Sequence, residues 1–225
     1  MRRLAAVVLA LILLTGCAAS PISVGILAED WDFGLFQASA PDPEEARRAD
    51  ALVQAVLAEY PEGFPAQWGP VQILLVGNLT GQAQFSDGNF AGFTQKTPEG
   101  WLMVLDAARC DAGTVHHEIA HILDGILTQA GALTEEEWLS FCPSFFSYGD
   151  GSWADYPDFF TDAYAMENLK EDRARTFEDA MLYGAGVYED KPALWLKLNC
   201  FSAAIRAHFD TANWPEKTLW EQAME

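Results

Sequence analysis

The chain is poor in positive charge. Its 225 residues carry 13 Lys plus Arg against 33 Asp plus Glu, a formal net charge of −20. A nucleic-acid binder needs a basic footprint, so nucleic acid is excluded as a partner. An anionic membrane surface would repel such a chain, so any membrane tether must be apolar or covalent. Cysteine is scarce as well: Cys17, Cys110, Cys142 and Cys200 are the four, with no C-x-x-C pair. That excludes a disulfide scaffold and a cysteine zinc finger. What the chain does have is apolar material, at 50% hydrophobic and 12% aromatic. That is enough for a sizeable core and excludes an intrinsically disordered chain. There is no internal repeat, and the length suits one domain.

The N-terminus carries an address. Met1-Arg2-Arg3 precedes an apolar run from Leu4 to Leu14, the order of an export signal. The run is too short for a transmembrane helix. It ends Leu14-Thr15-Gly16-Cys17, which resembles a bacterial lipobox. That resemblance implies a signal peptide over 1–16, a lipid on Cys17 and a bacterial envelope location, at the outer membrane if the cell is Gram-negative. Residues 17–42 then read as the lipidated cysteine and a tether, punctuated by Pro21, Pro41 and Pro43. The apolar pieces Ile22 to Leu27 and Trp31 to Phe36 can still pack on the domain, which spans 43–225. In an oxidising compartment, one disulfide among Cys110, Cys142 and Cys200 plus one free thiol is the simplest expectation.

Along the domain, Pro43 to Tyr60 reads as an amphipathic helix with an acidic first turn. Val71 to Val76, Phe90 to Thr94 and Trp101 to Leu105 read as strands, the last two as a hairpin. Beyond Cys110 the pattern turns helical: Thr114 to Ala130, a helix opened by the N-cap Thr134, then Asp162 to Leu182 and Lys191 to His208. The acidic loop before Tyr164, with Asp150, Asp155, Asp158 and Asp162, reads as a solvated face. This is an α+β class: a small sheet packed on a helix, with a mostly helical C-terminal half.

Three of the four histidines fall within six residues: His116, His117 and His121. His117-Glu118-x-x-His121 is an H-E-x-x-H pattern. Residues four apart on a helix share a face, so the two imidazoles can hold one Zn2+. Glu118 follows the first of them and is placed to take a proton from a water at the open position. The helix is apolar around them (Val115, Ile119, Ile122, Leu123), so these polar groups need partners. His116 lies about 100° further round and is not read as a ligand. Asp124, one turn past His121, either accepts a hydrogen bond from a ligand imidazole or pairs with Arg173 or Arg175.

A catalytic zinc needs a third protein ligand. No further histidine follows at metzincin spacing. His208 is available, as are the carboxylates Glu167, Glu171, Asp172, Glu178 and Asp179. Here the chain reads Tyr164-x6-Glu171-Asp172-x-Ala174-x-x-Phe177. This resembles the catalytic domain of anthrax lethal factor and a group of predicted bacterial zinc metallopeptidases of the gluzincin type, many of them lipoproteins. Trp138-Leu139-x-x-x-Pro143-x-Phe145-x-x-Tyr148-Gly149 is similar to a segment between their two motifs.

The resemblance implies a zincin-like fold. It makes His117, His121 and Glu171 the metal ligands, Glu118 the general base and Tyr164 the stabiliser of the transition state, with Asp172 supporting the ligands. On one continuous helix, Tyr164 and Glu171 would share a face about 10 Å apart. Two positions depart from the pattern: Arg175, where a second acidic residue is usual, and Cys142, where a polar residue is expected. The implied activity is a zinc peptidase on a peptide or protein substrate, with the strand at Trp101 to Leu105 as the cleft rim. The rival readings are a zinc amidase acting on cell-wall peptides and a non-catalytic zinc-binding lipoprotein.

Overall fold

The computed structural model describes residues 21–32, 36–81 and 88–225. The export signal and Cys17 lie outside the described residues. Among those described, no helix is long and apolar enough to cross a membrane.

The segment read as a tether carries strands. Strands β1 (Ile22–Ile26), β2 (Trp31–Asp32) and β3 (Phe36–Ser39) precede helix α1 (Pro43–Leu57). The long strand β4 (Val71–Gly81) is the spine of the sheet. Along one edge it pairs first with β1, in parallel, and then with β3, antiparallel, which in turn holds β2. Its other edge takes β6 (Gly100–Asp106) in parallel, and β5 (Gly92–Thr97) closes the order antiparallel to β6. The expected hairpin is therefore present. Its rim is not where the sequence put it: β6 is bonded on both sides, and β5 is the edge strand.

Strand periodicity sorts the side chains into two layers. Ile73, Leu75, Trp101, Met103 and Leu105 join the main core under the helices. Val76, Leu79 and Val104 form a second cluster on the reverse face, covered by Phe36, Phe93, Trp31 and Leu27. Phe36 stacks on Phe93 with ring centroids 4.3 Å apart. The apolar residues of the presumed tether thus seal the outer face of the sheet.

Helix α2 (Ala112–Gln129) lies on the inner face. Asp111 caps it by accepting from Thr114 N, and the Thr114 side chain returns the favour to the Asp111 backbone. At Gly125 the helix meets the sheet so closely that a Cβ would stand 2.2 Å from Trp101 Cη2. Thr134 caps the short helix α3 (Glu135–Leu139) as its position suggested. The long loop that follows has its own small core of Phe146, Tyr148, Tyr156, Phe160 and Met166.

The helix expected from Asp162 is broken in two. Tyr164–Met166 form a 3₁₀ turn, and α4 runs from Leu169 to Tyr183. Two side chains cause the break. Asp162 accepts from Ala165 N within the turn, and Asn168 accepts from Lys170 N and Glu171 N as the N-cap of α4. Helices α5 (Pro192–His208) and α6 (Leu219–Gln222) complete the chain, the latter unforeseen.

The expected disulfide is absent: Cys110, Cys142 and Cys200 are free thiols. They sit before α2, after α3 and within α5. Burial pushes the Cys110 and Cys200 thiols up to about 11, which keeps them protonated.

Candidate metal centre

Helix α2 supplies two of the side chains and α4, packed along it, supplies the third. His121 Nε2 lies 3.1 Å from His117 Nε2. Glu171 Oε2 lies 3.0 Å from His117 Nε2 and 3.5 Å from His121 Nε2. These three residues form the metal-competent cluster among the described residues. Tetrahedral zinc with bonds near 2.0–2.2 Å would separate its ligand atoms by roughly 3.3–3.5 Å. The observed triangle is close to that size.

The donor set also asks for a cation. Glu171 Oε2 is buried and accepts no well-aligned hydrogen bond. Burial alone would lower the pKa of His117, but Glu171 and Glu178 beside it outweigh that and hold it up at about 10. Burial would likewise raise Glu171, yet the two imidazoles pull it well below the usual carboxylate range. Two imidazoles and a carboxylate face one point in a negative surround, where a divalent metal can replace the proton that His117 otherwise holds. The residues fit zinc.

Glu118 is 4% exposed, and its Oε2 is buried with no hydrogen-bond partner. Burial raises its pKa, against the pull of His121 and His117. Gly92, opposite on β5, leaves it room: a Cβ there would come within 3.2 Å of Glu118 Cγ. Thr94 on the same strand donates to the Glu118 carbonyl at 3.3 Å. The edge strand therefore lies directly against this carboxylate.

Tyr164 comes to the centre from its own turn rather than along α4. Its ring centroid is 5.9 Å from that of His117, and it is 44% exposed. Burial, then the charges of Glu171, Glu167 and Glu118, push its phenol well above the ordinary value. The hydroxyl stays a donor at any working pH.

The surrounding carboxylates divide their tasks. Of the two roles open to Asp124, the structure has the ion pair: Arg173 Nη1 donates to it at 2.6 Å. Arg173 Nη2 also donates to Thr134 O at 2.8 Å, so one guanidinium ties α4 to α2 through Asp124 and to the start of α3 through Thr134. Asp172 makes no bond to a metal ligand. Buried completely, it accepts from Trp138 Nε1, Tyr148 hydroxyl and Lys197 Nζ, so it holds α3, the aromatic loop and α5 to α4.

The carboxylate that does bind a ligand imidazole is Glu178, whose Oε2 is 3.1 Å from His117 Nδ1. That bond leaves His117 Nε2 free as a metal donor. Glu178 was legible only as one of several candidate ligands. Its spacing of seven from Glu171, hence the same face of α4, is the signal that singles it out. His116 turns away to Tyr60 and Glu59, and His208 is exposed at the far end of α5.

No family model and no curated protein matches the chain. A solved structure does: a protein from Bacteroides caccae ATCC 43185 described as a "putative zinc-binding metallo-peptidase" superposes with a TM-score of 0.56. The match covers 90% of this chain and 83% of that one at 16% identity. Such a likeness carries the fold alone: the chain shares the α+β fold of that protein.

Proposed function

We propose that this chain is a zinc-dependent peptidase of the gluzincin type. The observation that carries the reading is the convergence of His117, His121 and Glu171 beside an orphaned, buried Glu118 oxygen. His117, His121 and Glu171 hold the ion. Zinc bound there supplies Lewis acidity, which brings the pKa of a water near 7 and polarises a carbonyl. Glu118 takes the proton of the attacking water and delivers it to the departing amide nitrogen. Burial raises its pKa, the direction that favours holding the proton between the two transfers. Tyr164 donates its hydroxyl to the oxygen on which negative charge develops. An extended substrate pairs with the free edge of β5, where Gly92 and Thr94 lie against Glu118. The export signal and lipobox support a site of action in the bacterial envelope, with Cys17 as the membrane anchor.

The test uses the mature chain without its lipid, residues 18–225, and its Glu118→Gln variant. Zinc is measured by elemental mass spectrometry and turnover on a peptide library. The expected result is one zinc per chain in both, with turnover lowered by roughly 10²–10⁴ in the variant. Turnover that survives in Glu118→Gln would overturn the mechanism. One zinc with no peptide cleaved would favour a zinc-binding lipoprotein without catalysis.

A further inference from the structure

A line of charged groups runs outward from the centre that the proposed chemistry does not use. Arg175 Nη1 lies 2.5 Å from Glu178 Oε2, the oxygen that faces His117 Nδ1. Arg175 Nη2 lies 2.7 Å from Asp162 Oδ2. Asp162 uses its other oxygen to accept from Ala165 N at 2.9 Å, inside the turn that begins with Tyr164. One guanidinium thus bridges two carboxylates. One of these steers a metal ligand, and the other holds the turn that presents the phenol.

The bridge depends on chemistry that arginine has and lysine lacks. The planar fork presents separate N–H donors to two acceptors at fixed angles, whereas an ammonium is a point charge on a flexible stem. Without the guanidinium, Glu178 would stand uncompensated among Asp162, Asp179 and Glu171. It would be repelled from the position in which it accepts from His117. The Tyr164 turn would also lose the ion pair that joins Asp162 to α4.

We propose that Arg175 is a positioning residue that fixes His117 through Glu178 and the Tyr164 turn through Asp162, so that a single side chain sets the metal ligand and the phenol relative to each other. This rests on the zinc-peptidase reading.

The experiment compares the mature chain with Arg175→Ala, Arg175→Lys, Glu178→Gln and Asp162→Asn. Zinc affinity is read by competition with a chelator, ligand geometry by the visible absorption of the Co2+-substituted protein, and turnover as kcat and KM. Arg175→Ala is expected to weaken zinc by about tenfold or more, to change the cobalt spectrum and to lower kcat more than it raises KM. Arg175→Lys should recover most of the zinc affinity but little of kcat. The double variant Arg175→Ala/Glu178→Gln should bind zinc no more weakly than the weaker single variant, because the two act in one line.

Folded Arg175→Ala with the parent's zinc affinity and cobalt spectrum would overturn the proposal. If that variant does not fold, Asp162→Asn decides: kcat is expected to fall with zinc affinity within about twofold of the parent, and an unchanged kcat overturns the bridge. A parent that binds no zinc defeats the underlying reading, and the proposal with it. A zinc-loaded parent with indifferent variants defeats the proposal alone.

Discussion

Asp179 carries a cost of the crowded acidic face on α4. Burial pushes its carboxyl up to about 6; Arg175 and Lys191 pull it down, while Glu178 and Asp162 push it up. The folded value lies above the unfolded one, so the folded state binds the extra proton between about pH 4 and 6. Stability therefore falls as pH rises through that window and stays reduced above it. Asp179→Asn is expected to gain about 1–2 kcal/mol above pH 6, after allowance for partial solvent screening, and nothing below pH 4. Thermal unfolding at pH 4 and pH 7 checks this: equal midpoints for variant and parent at pH 7 would refute it.

The same neighbourhood shows how far residue types could be read. A set of acidic candidates was visible, with Glu171 singled out by resemblance. Which carboxylate steers His117 was not, because Asp124 lies on the same helix as His117 and Glu178 lies 61 residues away. Local spacing favours the near residue. Arg173 reaches across and takes Asp124 instead.

At the scale of elements, the seam between α2 and β6 is set by Gly125. An alanine there gains up to about 1 kcal/mol in helix propensity. Its Cβ, however, would stand 2.2 Å from the Trp101 ring, and overpacking costs about 1–3 kcal/mol. The clash wins, since Trp101 is held in the core beneath the helix. Gly125→Ala is expected to lower stability by about 1–2 kcal/mol, read as a lower urea midpoint with an unchanged slope.

Most elements were legible from periodicity and caps: α1, α2, α5 and the β5–β6 hairpin lie close to their expected bounds. The misreadings have two causes. The break at Asn168 comes from side chains that bond their own backbone, which apolar spacing does not register. The rim moved from β6 to β5 because strand order in a sheet is a tertiary matter.

For the whole molecule, a metal held by His117, His121 and Glu171 would be a structural tie as well as a reagent. Glu118, Glu171 and Glu178 gather around one point between α2 and α4, and a bound cation joins the two helices. At a zinc concentration of about a hundred times Kd, binding adds about 2.7 kcal/mol to stability. For a domain of this size that is a rise in thermal midpoint of about 5–10 °C. Differential scanning of zinc-loaded and chelator-treated protein measures it, and superimposable transitions would show that the cluster does not hold the ion. The N-terminal strands contribute on the same scale. Residues Trp31 and Phe36 were read as possible packing pieces of a tether, and they pack with Leu27 and Phe93 against Val76, Leu79 and Val104 on the reverse face of the sheet.

The H-E-x-x-H helix could be recognised without any structure because its chemistry is local. A 3.6-residue period puts His117 and His121 one turn apart whatever surrounds them, and Asp111 starts the helix from next door. Charge and composition are local in the same sense. The meeting of α2 with α4 is different. It brings Glu171 and Glu178 to His117, more than fifty positions earlier, and sets Tyr164 beside that imidazole from a separate turn. Those distances follow from how side chains interlock across two packed helices and a sheet, and no period along the chain encodes that.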